Sequence, residues 1–157
     1  MKITPRDLIL GGQDGLVNVL GIVLGLSAAA TSEHTIIIAG LAAAFSEATS
    51  MGAVAYTAAK ADKVRIDTEG EKMFLGDAVI VGLSALVGAI IPLLPFFFLP
   101  TMIAVIFSII LSAISLFSLG VSAGKSVGRS KAKSGAEILF IGFLAAFAGF
   151  IIGVILK

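Results

Sequence analysis

The chain has no cysteine, no tryptophan and only one histidine, His34, among its 157 residues. The absence of cysteine excludes disulfide bonds and thiolate metal sites. Charged residues are also scarce, because they make up 13% of the sequence whereas soluble domains carry about 25%. A formal net charge of +1 gives no reason to expect nucleic acid as a partner. These absences point away from a soluble protein and from a nucleic-acid-binding protein.

Apolar residues account for 58% of the sequence and the mean hydropathy is +1.11, so lipid has to be the main solvent of the folded chain. About 20 apolar residues cross about 30 Å of hydrocarbon, and five runs meet that length. Their predicted bounds are residues 5–30, 35–59, 77–98, 101–121 and 137–156. An open sheet would leave backbone groups unpaired in lipid, and the runs lack the alternation of barrel strands. The sequence therefore predicts an all-α integral membrane protein with one transmembrane domain over residues 1–157.

Basic residues are distributed unevenly along this pattern. Ten of them precede the apolar stretch of the first helix, which begins at Leu8, or fall in the predicted loops 60–76 and 122–136, which lie on one side if five helices alternate in direction. They are Lys2, Arg6, Lys60, Lys63, Arg65, Lys72, Lys125, Arg129, Lys131 and Lys133. Only Lys157 falls on the other side. The positive-inside rule then predicts a cytoplasmic N-terminus and a non-cytoplasmic C-terminus. We expect a multi-pass protein of the plasma membrane in a prokaryote, or otherwise of a vacuole-like organelle.

Two carboxylates, Asp14 and Glu47, lie well inside predicted spans. An acid near the bilayer centre costs about 2.5–3.5 kcal/mol on insertion scales, so each of the two indicates a function. Asp77 and Glu137 begin predicted helices beside the cytoplasmic face, where the helix dipole favours an acid, and we interpret them as ordinary N-terminal charges. His34 lies in a short non-cytoplasmic turn and is expected to face water.

Helical spacing places the candidate side chains at related depths. Asp14 lies about 9 Å from Leu8, where the apolar part of the first span begins, and Met51 lies about 12 Å from Ala59 at the end of the second. Glu47 precedes Met51 by four residues, so it lies on the same helix face one turn deeper. With the amide of Asn18, the oxygen ligands suit Mg²⁺, Ca²⁺ or Mn²⁺, and the thioether of Met51 shifts the preference toward Fe²⁺. We predict a metal path through these four residues, with Glu47 as the proton carrier.

Each of these side chains also has a structural interpretation. A methionine in an apolar helix commonly fills gaps in the core, and Met51 fits that role. Glu47 could be a protonated carboxyl that bonds to a hydroxyl of Ser46, Ser50 or Tyr56. On the first helix, Gly21 and Gly25 have the small-xxx-small spacing that allows close helix packing in lipid. Together with Asp14 and Asn18 they form one continuous stripe along the helix. If that stripe faced a second copy, a dimer would bring two copies of each polar residue to a central path.

Several short motifs resemble the vacuolar iron transporter family, most specifically in the first two helices. In chain order they are Arg6-Asp7-Leu8-Ile9, Asp14-Gly15, Gly25-Leu26-Ser27, Ala39-Gly40-Leu41-Ala42, Ser50-Met51-Gly52, Tyr56 followed by Ala59-Lys60, and Ile91-Pro92-Leu93-Leu94-Pro95-Phe96. The resemblance implies five transmembrane helices, a homodimer with a metal path between its subunits, and export of Fe²⁺ or a related divalent metal from the cytosol against protons. It implies neither an enzyme nor a resident cofactor.

The family's metal-path positions carry over onto Asp14 and Met51. Its eukaryotic members place a glutamate eight residues before the methionine, where this chain has Ala43, so we assign that role to Glu47 as a hypothesis. Those members also hold a cytoplasmic metal-binding domain between helices two and three, which the segment 61–76 is too short to contain.

Two other functions are compatible with the same residues. The chain could be a non-transporting scaffold or assembly subunit whose buried carboxylates only hold helices together, or a passive cation channel. Nucleotide binding is not expected, because Gly124-Lys125-Ser126 lacks the first glycine of a phosphate loop, which Leu119 replaces, and no strand is predicted before it.

Overall fold

The computed structural model describes the backbone of residues 5–62 and 68–157, and the side chains of residues 7–61 and 75–157. Within these residues the chain forms five long α-helices and one short 3₁₀ helix. They are α1 (Pro5–Ala28), α2 (Glu33–Asp62), α3 (Thr68–Leu93), the 3₁₀ helix (Leu94–Phe97), α4 (Thr101–Ser126) and α5 (Lys131–Ile155). Each of the five α-helices is long and apolar enough to cross a membrane. The predicted all-α membrane fold with five spanning helices is confirmed.

The helices extend further at the predicted cytoplasmic side than the sequence indicated. α2 continues to Asp62 and α3 begins at Thr68, so much of the predicted loop 60–76 is helical. The predicted loop 122–136 is wrong in extent, because only residues 127–130 separate α4 from α5. Asp77 and Glu137 therefore do not begin their helices. A 30-residue helix is about 45 Å long, so α2 can cross the hydrocarbon and continue into water. The charged cluster between α2 and α3 falls largely outside the side chains that the structure describes.

The helices alternate in direction through the bundle. On α1 and α5, Gly21 approaches Ala146 and Gly25 approaches Gly149, so these two helices run parallel. α4 and α5 are antiparallel, since Gly142 of α5 packs on Leu116 and the start of α5 meets the end of α4. The described basic side chains separate accordingly to the two ends of the bundle. One end carries Lys60, Lys125, Arg129, Lys131 and Lys133, and the other carries Lys157. Which end faces the cytosol stays a prediction.

α1 lies at the centre of the bundle and contacts all four other α-helices. Its residues Leu16, Val19, Leu20 and Val23 are fully buried, and small or branched residues of the surrounding helices complete the core around them. Glycines allow α1 and α3 to approach at backbone distance, because a Cβ on Gly15 would overlap the backbone of Ala85. The outer faces of α4 and α5 expose large apolar side chains, as expected for surfaces that contact lipid.

The glycine stripe of α1 packs against α5 within the chain. A Cβ on Gly25 would lie 2.8 Å from the carbonyl oxygen of Gly149, and a Cβ on Gly153 would overlap the carbonyl of Gly25. The stripe therefore has a packing partner within its own chain, and its facing a second copy stays a prediction. The physical reason is that the small residues of α5 offer the same close approach within one chain.

Candidate metal path

Three of the predicted polar residues come together between α1 and α2. Asp14 and Asn18 are one helical turn apart, so α1 presents both side chains on one face. Glu47 of α2 faces them, with its carboxyl group close to the Asp14 carboxyl and the Asn18 amide. Glu47 thus lies beside two successive turns of α1. The alternative partners Ser46 and Ser50 are exposed and do not engage Glu47 in the described part of the chain.

Met51 lies one turn from Glu47 but is held differently. Met51 is only 9% exposed, and it packs against Val81 and Ala85 of α3. It also lines a cavity of about 830 Å³ whose wall includes Asp14 and Asn18. Met51 is therefore part of the α2–α3 core and part of the wall of the polar cavity, so its core-filling role and its predicted ligand role are compatible.

The polar cavity continues along α1 into a second one. A cavity of about 590 Å³ shares Val17, Asn18 and Ala145 with the first and extends toward the end of α1. Together they form a groove, called here the α1 groove, which runs along α1 between α2 and α5. Its polar residues lie in the half of the groove near the start of α1, and its other half is lined by apolar and small residues. Asn18 is exposed although it lies near the middle of a span.

Sequence reasoning overlooked one polar residue of this groove. Gln13 precedes Asp14, is partly buried and lines the same cavity as Asp14 and Met51. The available signal was its type, because an uncharged amide inside a span also needs a partner in lipid. Gln13 adds a second amide to the polar set of the groove.

The ligand set of one chain is small. Within the described residues, no group of three or more His, Cys, Asp and Glu side chains comes close enough to hold a metal ion. The α1 groove offers the carboxylate of Asp14, with amide oxygens and a thioether nearby, and Glu47 lies next to Asp14 without lining the groove itself. Such a set can contact a divalent cation from one side and leaves the rest of its coordination shell to water or to another chain.

The other titratable residues considered from the sequence lie elsewhere. His34 is exposed at the opposite end of the bundle from Asp14. Glu33 accepts hydrogen bonds from the backbone N–H of Thr101, at 2.9 Å, and from its hydroxyl, at 3.2 Å, and so ties α2 to the first residue of α4. Asp77 is partly exposed and Glu137 is exposed. None of these residues lines the α1 groove.

Comparison with known proteins identifies the family. A model of the VIT family matches residues 5–73 and 61–154. The chain is 24% identical to vacuolar iron transporter 1 of Arabidopsis thaliana, over 92% of this chain and 83% of that protein. It is 25% identical to the vacuolar iron transporter of Centaurea cyanus, over 94% of this chain and 85% of that protein. Vacuolar iron transporter 1 of Eucalyptus grandis is also 25% identical, over 92% of this chain.

The alignments to the plant proteins span 207 and 209 positions, more than the 157 residues of this chain, so those relatives hold residues that it lacks. The two parts of the family match overlap at residues 61–73, which include the end of α2 and the start of α3, and together they reach all five helices. The chain therefore belongs to the VIT family.

Proposed function

We propose that this chain is a homodimeric transporter of divalent metal, Fe²⁺ first and Mn²⁺ second, that exports the ion from the cytosol in exchange for protons and without ATP. The observation that carries the proposal is that Asp14 and Asn18, which line the α1 groove, meet Glu47 of α2. Its support from relatives is that plant members of the family are named vacuolar iron transporters. The cytoplasmic N-terminus and the vacuole-like or plasma membrane location belong to the same proposal.

The dimer is supported by the exposure of the polar residues. Asn18 is exposed near the middle of a membrane-spanning helix, and Asp14 and Glu47 are only partly buried. Each polar group that faces hydrocarbon without a hydrogen-bond partner costs roughly several kcal/mol. Protein or water therefore has to cover these side chains. A second copy placed over the α1 groove would cover them and would raise the number of carboxylates around one path from two to four, enough to surround a cation.

Proton exchange is supported by the pairing of the two acids. Two carboxyl groups can hydrogen-bond to each other only if at least one of them holds a proton, because a carboxylate is an acceptor alone. A divalent cation between Asp14 and Glu47 would replace that proton, so metal entry and proton release would be linked at one place. The thioether of Met51 would favour Fe²⁺ over harder cations.

The proposal is tested by metal uptake into liposomes that contain the purified protein and a metal-sensitive dye, with and without a pH gradient. The double variant Asp14→Asn/Glu47→Gln should transport Fe²⁺ at least about tenfold more slowly, as expected for the loss of charge-assisted contacts. The variant Asp77→Asn/Glu137→Gln removes one Asp and one Glu outside the groove and should keep the rate of the wild type.

Three outcomes would contradict parts of the proposal. Equal rates for the two double variants would refute the site. Flux that ignores the pH gradient would indicate a passive channel. No flux, together with no rise in thermal stability on adding Fe²⁺ or Mn²⁺, would indicate a scaffold.

The dimer is tested separately, because the chain has no cysteine of its own. Leu10 is 46% exposed and lines the groove, whereas Val87 is 65% exposed on the face of α3 away from it. A short bifunctional maleimide should link two copies of the Leu10→Cys variant and not of the Val87→Cys variant. Equal linking of both variants would contradict a dimer across the α1 groove.

A further inference from the structure

The turn between α4 and α5 carries a concentrated positive charge. Four basic residues, called here the basic turn, fall within residues 125–133, and no acidic residue lies among them: Lys125, Arg129, Lys131 and Lys133. All four are exposed. Within the described part of the chain, no hydrogen bond or ion pair engages any of their side chains. Their charge is therefore available to an external partner.

The backbone of the basic turn is held in a defined conformation. Gly128 has a φ of 68°, in the left-handed region, and the N–H of Arg129 donates to the carbonyl oxygen of Gly124 at 2.9 Å. This is the Schellman pattern that ends an α-helix at a glycine. Beyond the turn, α4 and α5 pack closely, since a Cβ on Gly124 would lie 2.7 Å from the Ser134 hydroxyl. The turn therefore presents its charges from a rigid hairpin.

The position of the turn relative to the membrane restricts what can meet it. Both neighbouring helices are long and apolar enough to cross a membrane, and these spans end at Ser126 and begin at Lys131. The four basic residues thus lie within a few residues of the hydrocarbon boundary, where lipid headgroups are. The apolar side chain of Val127, at the start of the turn, is 68% exposed, as expected for a residue that contacts the interface.

We propose that the basic turn binds the headgroups of anionic phospholipids in the adjacent leaflet. Clusters of basic residues beside a membrane-spanning helix attract anionic lipids, and a guanidinium can bind a phosphate through two parallel hydrogen bonds. A rigid hairpin loses little conformational entropy on binding, which favours a lasting contact over transient attraction. The inference depends on the charge and position of the turn and does not depend on what the protein transports.

The test uses the full-length protein in neutral detergent micelles and native mass spectrometry to measure lipid binding. Phosphatidylglycerol should bind more tightly than phosphatidylcholine with the same acyl chains. The double variant Arg129→Gln/Lys131→Gln should weaken phosphatidylglycerol binding roughly 30-fold, which corresponds to about fivefold for each basic residue near an anionic surface. The double variant Lys60→Gln/Lys157→Gln removes the same charge elsewhere and should bind like the wild type.

Further measurements distinguish binding of a lipid headgroup from binding of free phosphate. Arg129→Lys keeps the charge and should retain most of the affinity, and 0.5 M salt should weaken binding by the wild type. Equal affinity of the wild type for the two lipids would overturn the proposal. So would equal loss in both double variants, or displacement of phosphatidylglycerol by millimolar inorganic phosphate, which would mean that the turn is a free-phosphate site.

Discussion

Two buried serines on α4 allow a direct test of how hydrogen bonds hold this fold together. Ser108 and Ser112 are one helical turn apart, and both are fully buried. The hydroxyl of Ser108 donates to the carbonyl oxygen of Pro92 at 2.7 Å. The hydroxyl of Ser112 has no hydrogen-bond partner in the described part of the chain. The same substitution to alanine should therefore destabilise the fold at Ser108 and not at Ser112.

The Pro92 carbonyl needs this donor because of the way α3 ends. In an α-helix its partner would be the N–H of Phe96. Residues 94–97 form a 3₁₀ helix, however, in which an N–H donates to the carbonyl three residues back. The N–H of Phe96 therefore donates to the carbonyl of Leu93. The 3₁₀ donor for Pro92 would be Pro95, which has no N–H. Ser108 thus satisfies a carbonyl that the chain's own proline pattern leaves without a partner.

The expected magnitudes follow from these contacts. Ser108→Ala leaves a buried carbonyl unpaired, which costs about 1–3 kcal/mol in soluble proteins. Interhelical hydrogen bonds in membrane proteins average only about 0.6 kcal/mol with a maximum near 1.7, so we expect a loss of about 1–1.5 kcal/mol. Ser112→Ala removes an unpaired buried hydroxyl and should leave the free energy of unfolding unchanged or raise it by up to about 1 kcal/mol.

The assay is unfolding in mixed micelles at increasing mole fractions of sodium dodecyl sulfate. Since the chain has no tryptophan, unfolding is followed by susceptibility to a pulse of protease. Protein concentration is kept equal for all variants, because the stability of a dimer would depend on it. If Ser112→Ala lost as much stability as Ser108→Ala, the loss would come from packing of the hydroxyl group, and the reasoning from hydrogen bonds would be refuted.

Two further predictions concern contacts between other helices. Glu33→Ala should lower the free energy of unfolding by about 0.5–1 kcal/mol, because the carboxylate accepts a hydrogen bond from the first N–H of α4 and is attracted to the positive end of the α4 dipole. Glu33→Gln, measured in the same micelle assay, should lose less stability. Equal losses in the two variants would contradict a role for the charge. Gly15→Ala should cost about 1–3 kcal/mol, since its Cβ would overlap the Ala85 backbone. Gly21→Ala should be neutral or stabilising by up to about 1 kcal/mol, since the atom nearest to its Cβ would be the Cα of Ala146 at 3.8 Å. A loss of stability in Gly21→Ala as large as that in Gly15→Ala would contradict the packing argument.

The sequence predicted the helices well and their ends poorly. Apolar length identifies a span because the thickness of hydrocarbon sets the minimum number of residues. It does not identify the last helical residue, because a helix can continue into water once its backbone bonds are formed. The charges near Lys60 and Lys131 indicated loops, yet α2 continues past the first and α5 begins at the second.

The candidate site could be predicted in part. The four-residue spacing of Asp14 and Asn18 indicated a shared face, and the cost of acids in lipid selected Asp14 and Glu47. The contact between Glu47 and α1 depends on how two helices dock, which spacing within one helix does not determine. For the same reason Gly21 and Gly25 predicted a close approach but not its partner, and the partner is α5.

The close contacts around α1 bear on how the α1 groove could open. α1 meets α3 at backbone distance near Gly15, and α3 meets α2 in the same way where a Cβ on Gly82 would lie 2.7 Å from the carbonyl oxygen of Ala48. Ala48 follows Glu47 directly, and Asp14 directly precedes Gly15. The two acids are thus fixed to each other through α3, by backbone contacts that cannot slide without losing packing. A movement that admits a cation should therefore separate the α1 groove from whatever covers its open side. The backbones that carry Asp14 and Glu47 should stay in place, and only the two side chains should move apart to hold the cation.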